Sequence, residues 1–370
     1  MKVVVVGGGV IGCATAFELA KAGCAVTLVE RATPGAEASG AAAGILCPLA
    51  ESAVTPYSHL ALASWRLYPS VASELRELTG IDVEYVTRGS IYPLASASDV
   101  RRAETRARLP WNQELGIEAW DAAEIRMREP ALSTEIRGAM FVRGEHWVNN
   151  ERLTIAYAQA GLGKGVLVRT GIAVSRVVVE DGCARGVIAD GERLDADRVV
   201  MATGAWTAEL AASFGARLPV EPRRGQMVAL VHVPPVLTHC VRGDDVYLVP
   251  RPSGELLVGA TVERVGFQRA VTASGISRLL TAATRLVPEL GDLSISRTWC
   301  GFRPWAADGL PILGPWPTVT NLIVATAHFR NGILLAPITA RLVTAWILED
   351  RPELAIEDFL PDRFMKEPAR

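Results

Sequence analysis

Two arginines in the C-terminal part of the chain stand where an arginine is costly to place. Arg303 lies in "TWCGFRPWAADG", between Phe302 and Pro304 with Trp299 and Trp305 close by. Arg330 lies in "HFRNGILLAP", directly before the apolar, helix-like run Ile333 to Ala336. A guanidinium held among aromatic rings without an anion is expensive to desolvate. Two readings follow for Arg303: a surface cation stacked on tryptophan, or an anchor whose planar fork grips a carboxylate through two parallel hydrogen bonds. Arg330 raises a related question, because the helix after it starts at Asn331 and Gly332, without the Ser or Asp that normally caps a helix. Either the arginine is solvated beside a plain helix start, or arginine and helix N-terminus both face a ligand. Tyr247, taken by itself, is an ordinary strand aromatic.

A second constellation is made of glycines. Gly7, Gly9 and Gly12 have G-x-G-x-x-G spacing after the β-branched run Lys2 to Val6, and the amphipathic helix that follows, about Val10 to Ala22, ends at Gly23. A second strand, Ala25 to Val29, ends in Glu30. Gly7 suits a tight turn, Gly9 lets backbone approach a pyrophosphate, and Gly12 lets helix and strand pack closely. The helix N-terminus attracts phosphate, and Glu30 is placed for ribose hydroxyls. The pattern predicts a dinucleotide and fits NAD and FAD alike. "EASGAAAGILCP" adds a stretch of small residues, Ser39 to Gly44, which lets backbone lie against a flat, phosphate-bearing ligand. "DADRVVMATGAW" adds a buried strand, Arg198 to Met201, that breaks at Thr203-Gly204, again a place for close backbone approach.

The elements that must position these residues alternate between strand and helix, so the fold class is α/β. A chain of 370 residues, 49% apolar, is long enough for two intertwined domains. "YLVPRPSGELLVGAT" predicts a hairpin turning at Pro252-Ser253-Gly254, and the charged stretch Ala95 to Arg128 predicts surface helices. A net charge of −2 leaves no basic footprint for nucleic acid. Six scattered cysteines without a CxxC pair point to free thiols in a reducing compartment, and five histidines without ligand spacing give no metal site. The N-terminal apolar stretch is broken by three glycines and is not a signal helix, while Pro337 and Arg341 spoil the last apolar run as a membrane span. The expectation is a cytoplasmic protein without a membrane span.

Taken together, GGGVIG, SGAAAGI, "GDDVYLVPRPSGELLVGAT", "WCGFRPWAADGLPILG" and "HFRNGILLAP" resemble the D-amino-acid oxidase family of FAD enzymes over nearly the whole chain, and its glycine oxidase branch most. The resemblance implies a Rossmann-like FAD-binding domain of the GR2 type from residues 1–85, 143–217 and 298–370. An inserted α+β substrate domain on a large mixed sheet would take 86–142 and 218–297. It implies that Val10, Ile11, Glu30, Arg31, Ala38, Ser39, Ala43, Gly44, Ile45 and Val174 line FAD, and that His328, Phe329, Asn331, Gly332, Ile333 and Leu334 close over the flavin. Arg303 would then anchor the carboxylate of a small amino-acid substrate, with Tyr247 beside it and Arg330 at the pocket mouth. His328 would be a structural hydrogen bonder rather than a base.

The activity implied is oxidation of glycine, sarcosine or small D-amino acids by hydride transfer to flavin, with molecular oxygen reduced to hydrogen peroxide. In glycine oxidases this feeds thiamine biosynthesis, and the family permits a homo-oligomer. The alternatives are a dehydrogenase passing electrons to a quinone or partner subunit, and a flavin-binding subunit without turnover of its own. Three positions refine the resemblance. Leu334 stands where sarcosine-oxidase-like relatives have lysine, and Cys300 stands where such relatives attach flavin covalently. "HWVNNERL" lacks the proline expected of glycine oxidases.

Overall fold

The computed structural model describes residues 1–49, 55–94, 96–352 and 354–365. Its centre is a six-stranded sheet in the order Ile312–Pro315, Leu322–Thr326, Arg198–Met201, Lys2–Val6, Ala25–Glu30 and Leu167–Thr170. All pairings are parallel except that of the first two strands. "VVVV" fits the central position because both faces of that strand are covered, and Val3, Val4, Val5 and Val6 are all buried. The helices Val10–Lys21, Asn150–Gly163, Gly332–Ile347 and Pro56–Thr79 share one core with a face of this sheet. The antiparallel strands Val174–Glu180, Cys183–Ala189 and Glu192–Asp195 cover the opposite face.

Pro337 sits inside the helix Gly332–Ile347, so the carbonyl of Ile333 loses its usual N–H partner. The helix Pro56–Thr79 repairs the gap. The Tyr68 hydroxyl donates to the Ile333 carbonyl, and Ser64 Oγ donates to the Leu334 carbonyl at 2.6 Å while accepting from the Ile338 N–H at 3.3 Å. A helix interrupted by proline is thereby fixed at its first turn, where the cavity described below begins.

The second sheet has eight strands, in the order Ile295–Ala306, Val220–Val231, Glu255–Gly259, Tyr247–Pro250, Cys240–Arg242, Ser90–Leu94, Gly138–Val142 and Ile117–Asp121. It is mixed, because Cys240–Arg242 runs parallel to Ser90–Leu94 while its other neighbours are antiparallel. The hairpin expected around Pro252-Ser253-Gly254 is present, with Tyr247 opposite Gly259 and Pro250 opposite Leu256. The helix Ala273–Leu286 packs on one face over Val228, Leu248 and Val258.

Two expectations need adjustment. The stretch from residue 95 to Arg128 holds the helices Ala97–Arg108, Pro110–Gln113 and Ala122–Arg128, but also the strand Ile117–Asp121; Ala95 lies outside the described residues. That strand is a sheet edge with two acids in five residues, so its composition resembles a solvated helix face. The boundary drawn at residue 298 falls inside the strand Ile295–Ala306, which pairs with Val220–Val231 along its length. No described helix is long and apolar enough to cross a membrane.

Candidate active site

Both sheets contribute to one cavity of about 780 Å³. Its wall takes residues from all five segments that carry the family resemblance and from the strand break at Thr203-Gly204. Gly7, Gly9, Val10, Ile11, Glu30, Arg31, Ala38, Ser39, Ala43, Gly44, Ile45, Val174 and Gly204 line it, as do Tyr247, Arg303, His328, Phe329, Arg330, Asn331, Gly332 and Ile333. Two expected residues do not reach it. Gly12 lies beneath the wall, where a Cβ would collide with the Gly7 carbonyl, so its role is the close helix–strand packing. Leu334 is buried in the core shared by the helices, so only the first helical residues before it face the cavity.

Around the glycine fingerprint the wall is mostly backbone. Gly7 has φ of +105° and a Cβ there would meet the Ala202 carbonyl, so the turn requires glycine. Gly44 is similar, with Val148 backbone in the way of any side chain. The helix Val10–Lys21 has no side-chain cap on its own segment. Instead Ser39 Oγ accepts from the Val10 N–H at 2.9 Å, tying the small-residue loop to the helix start. Glu30 is nearly buried; its carboxylate accepts from the Gly8 N–H at 2.6 Å and the Ala32 N–H at 2.8 Å. Arg31 stacks over Trp206, 3.6 Å from the ring centre, and pairs with Glu37 at 2.8 Å.

Toward the eight-stranded sheet the wall is made of side chains. Arg303 lies across Gly225 of the neighbouring strand, where any Cβ would strike its guanidinium. One N–H donates to the Thr261 carbonyl at 2.9 Å. Among the described residues no carboxylate pairs with Arg303. Burial, opposed by the nearby Tyr247 and reinforced by Arg330, holds its pKa below the ordinary arginine value. The surface cation–π reading fails, because the rings around Arg303 carry other cations: Arg297 lies over Trp299, Arg269 over Phe302 and Arg223 over Trp305. Tyr247 donates to Met227 Sδ at 3.3 Å, and Gly259 opposite leaves room for both side chains.

The loop from Ala327 to Asn331 joins the two regions. Ala327 and Phe329 have φ of +58° and +48°, left-handed conformations that non-glycine residues seldom adopt and that mark functional loops. The Phe329 N–H donates to the Pro304 carbonyl at 2.9 Å, which fixes this loop beside Arg303. Arg330 is exposed at the cavity mouth. His328 is buried, bonds Thr339 Oγ1 at 3.1 Å, and has its pKa pushed down to about 3 by burial, so it is neutral. The helix Gly332–Ile347 has no side-chain cap, and its first residues open on the cavity.

A glycine cradle, two helix starts without caps of their own and a glutamate at the end of the second strand suit a long phosphate-bearing ligand. The family model for FAD-dependent oxidoreductases of the DAO type matches residues 2–346. The chain belongs to this family of FAD-dependent oxidoreductases. FAD is therefore its cofactor, and the backbone around Gly7, Gly9, Ser39 and Gly44, the Glu30 carboxylate and the start of the helix at Gly332 are the groups suited to hold it.

The glycine oxidase of Geobacillus kaustophilus strain HTA426 is 38% identical over 363 residues, covering 96% of this chain and 94% of that protein. The crystal structure of a glycine oxidase from the same species superposes with a TM-score of 0.91 at 35% identity, covering 98% of each chain. The bifunctional protein ThiO/ThiG of Trichormus variabilis is 38% identical over 378 residues. This chain spans about half the length of such bifunctional relatives, 55% in that case.

Several wall residues were not expected from sequence. Trp206 and Phe302 form an aromatic cluster with Phe267. Gly225 and Gly301 face each other across paired strands, a signal visible only when the register is known. Arg242, flanked by Val241 and Gly243, satisfies the same test of apolar surroundings that singled out Arg303. Cys300 is absent from the wall and stands opposite Gln226, not with Gly301, so this fold offers no support for a thioether to flavin.

Proposed function

We propose that this chain oxidises small amino acids, with glycine, sarcosine and small D-amino acids as the substrate class. The products are the 2-oxo acid, ammonia or the amine, and hydrogen peroxide from molecular oxygen. The observation that carries this reading is Arg303, a guanidinium in the cavity wall without a carboxylate partner among the described residues. Such a group demands an anion, and its fork fixes both position and angle of a carboxylate. The likeness to glycine oxidases supports an α-amino acid as the bearer of that anion.

In this reading FAD supplies the two-electron acceptor when bound. The chain's own residues do the rest by positioning. Arg303 holds the carboxylate, with the Tyr247 phenol beside it. The start of the helix at Gly332 places a positive dipole end where negative charge gathers, worth about 0.3–2 kcal/mol. Trp206 and Phe302 keep water from the wall. His328, neutral and bonded to Thr339, takes no proton. The six-stranded sheet would serve as the cofactor domain and the eight-stranded sheet as the substrate domain.

The test is peroxide formation by the purified chain over a panel of glycine, sarcosine and D-alanine. Peroxide in step with substrate loss supports the oxidase. Bleaching of the flavin by an amino acid without peroxide transfers the reading to a dehydrogenase with another acceptor. No bleaching by any amino acid ends the proposal.

A further inference from the structure

Beside Arg303 and Tyr247 the cavity has a second polar wall. Arg242 lies directly opposite Tyr247 in the antiparallel pairing of their strands, so the two side chains stand on one face, one strand spacing of about 4.8 Å apart. One N–H of Arg242 donates to Glu145 Oε1 at 2.7 Å, and Glu145 is fully buried behind it. The other Glu145 oxygen accepts from the Tyr92 hydroxyl at 2.7 Å, and Cys47 Sγ lies 3.5 Å from that hydroxyl. The carboxylate thus fixes the guanidinium while occupying one of its five donors, and Arg242 lines the cavity. Tyr57 lines the same cavity, and its buried hydroxyl has no hydrogen-bond partner.

Charge gives the class of group this wall would take. Arg303, Arg330 and Arg242 line this part of the cavity, and Glu145 is the carboxylate that pairs with any of them among the described residues. Three guanidinium groups against one carboxylate leave two positive charges. One α-carboxylate neutralises one of these. Apart from the Arg242–Glu145 pair, the second wall offers N–H and O–H donors, which match an acceptor-only group, and a carboxylate is such a group when ionised. Glu30, Glu37 and Glu209 also line the cavity, but they belong to the region of the glycine fingerprint and of the helix Thr207–Ala212, which packs on the strand Val174–Glu180.

The geometry points to a second carboxylate subsite, formed by Arg242 and Tyr57, so that the preferred substrate is an amino acid carrying two carboxylates. This rests on the amino-acid reading above and narrows it. The second carboxylate can be linked through the substrate's nitrogen or through its carbon chain; iminodiacetate and D-aspartate represent the two.

The test measures kcat/KM of the holoenzyme for glycine, iminodiacetate and D-aspartate in wild type, Tyr57→Phe and Arg242→Lys. In wild type one of the two dicarboxylates should exceed glycine by roughly tenfold or more, and which one does so gives the linkage. Tyr57→Phe keeps the ring and removes only the hydroxyl, so the ratio of dicarboxylate to glycine should fall about tenfold. Arg242→Lys keeps the charge for Glu145 and should lower that ratio at least as much, because a point charge does not reproduce the fork. Should Arg242→Lys fail to fold, Tyr57→Phe alone decides. Wild type oxidising glycine better than both dicarboxylates, or an unchanged ratio in Tyr57→Phe, overturns the subsite while leaving the amino-acid reading intact. If wild type oxidises none of the three but sarcosine or D-alanine bleaches its flavin, the subsite falls alone; if no amino acid bleaches the flavin, both readings fall together.

Discussion

Where Gly7, Ser39 and Gly44 bound the cavity its wall is chiefly backbone, whereas around Arg303, Tyr247 and Arg242 it is side chain laid across separate strands. Glycines must stand where backbone touches a ligand, so the first region leaves a fixed spacing in the sequence. The second region is assembled by register. Arg303 reaches its position because Gly225 lies in the paired strand, some 80 residues away in the chain, and that pairing has no local signature. A backbone wall should therefore tolerate loss of single side chains better than a wall whose side chains bear the specificity.

The largest effect should come from Arg303. Arg303→Ala should lower kcat/KM for the amino-acid substrate by a factor equivalent to roughly 3–5 kcal/mol, the range for breaking a buried charge pair from one side, and Arg303→Lys should not restore it, because a point charge does not reproduce the fork. Both KM and kcat should suffer, since the carboxylate also sets the angle of the α C–H. Steady-state kinetics on a carboxylate-free amine serve as the control. An amine that wild type oxidises as well as glycine would show that this wall is not built around a carboxylate.

The backbone region should give a smaller response. Glu30→Ala removes two hydrogen bonds, to the Gly8 and Ala32 N–H groups, together with any bond to a ribose hydroxyl. Retention of FAD should weaken by about 1.5–3 kcal/mol, the range for hydrogen bonds to a charged group. Flavin titration of the apoprotein measures it. Equal affinity in the variant would mean that the glycine cradle alone holds the cofactor, which would sharpen the contrast between the two regions.

These two tests also show what the sequence could and could not disclose. The strand Lys2–Val6, the helix from Val10 and the strand ending at Glu30 were legible because period, glycine spacing and terminal acid all agree within thirty residues. The strand Ile117–Asp121 was not, since an edge strand rich in acids has the composition of an exposed helix. The role of Pro337 was hidden for another reason. Proline in an apolar run suggests an interruption, and only the fold brings Ser64 and Tyr68 from some 270 residues away to the carbonyls it leaves open. Arg242 was legible by the same criterion as Arg303 but lacked an aromatic neighbourhood to draw attention to it.

A third effect concerns the joint between the regions. Burial drives the pKa of His328 from 6.5 down to about 3. The folded value lies below the unfolded one, so the unfolded chain binds a proton that the folded chain refuses. The stability contribution is complete above pH 6.5 and is lost as pH falls toward 3. At pH 5 the loss is about 2 kcal/mol. Denaturant unfolding at pH 7 and pH 5 should show it, with His328→Gln less stable at pH 7 yet losing less on acidification. An equal loss in both proteins would assign the acid sensitivity to other groups, of which His146, pushed down to about 4 by burial, is the first candidate.

The smallest expected effect is none, and it tests the alternation of one strand. In Ile295–Ala306 the residue opposite Gly225 is Gly301, and Cys300 stands opposite Gln226. Successive side chains of a strand point to opposite faces. Gln226 is fully buried and bonds Glu263 and Thr272, away from the cavity wall. Cys300 shares that side and, unlike Phe302 two residues further along, does not line the cavity, so its sulfur is not placed to form a bond to flavin. Acid precipitation of the wild-type holoprotein should therefore release all flavin into the supernatant, and Cys300→Ser should bind and release it identically. Flavin that stays with the wild-type pellet and leaves it in Cys300→Ser would require a one-residue shift of this strand against Val220–Val231. Such a shift would carry Arg303 off the cavity face as well, so the same experiment that breaks the cysteine assignment would remove the anchor on which the substrate class rests.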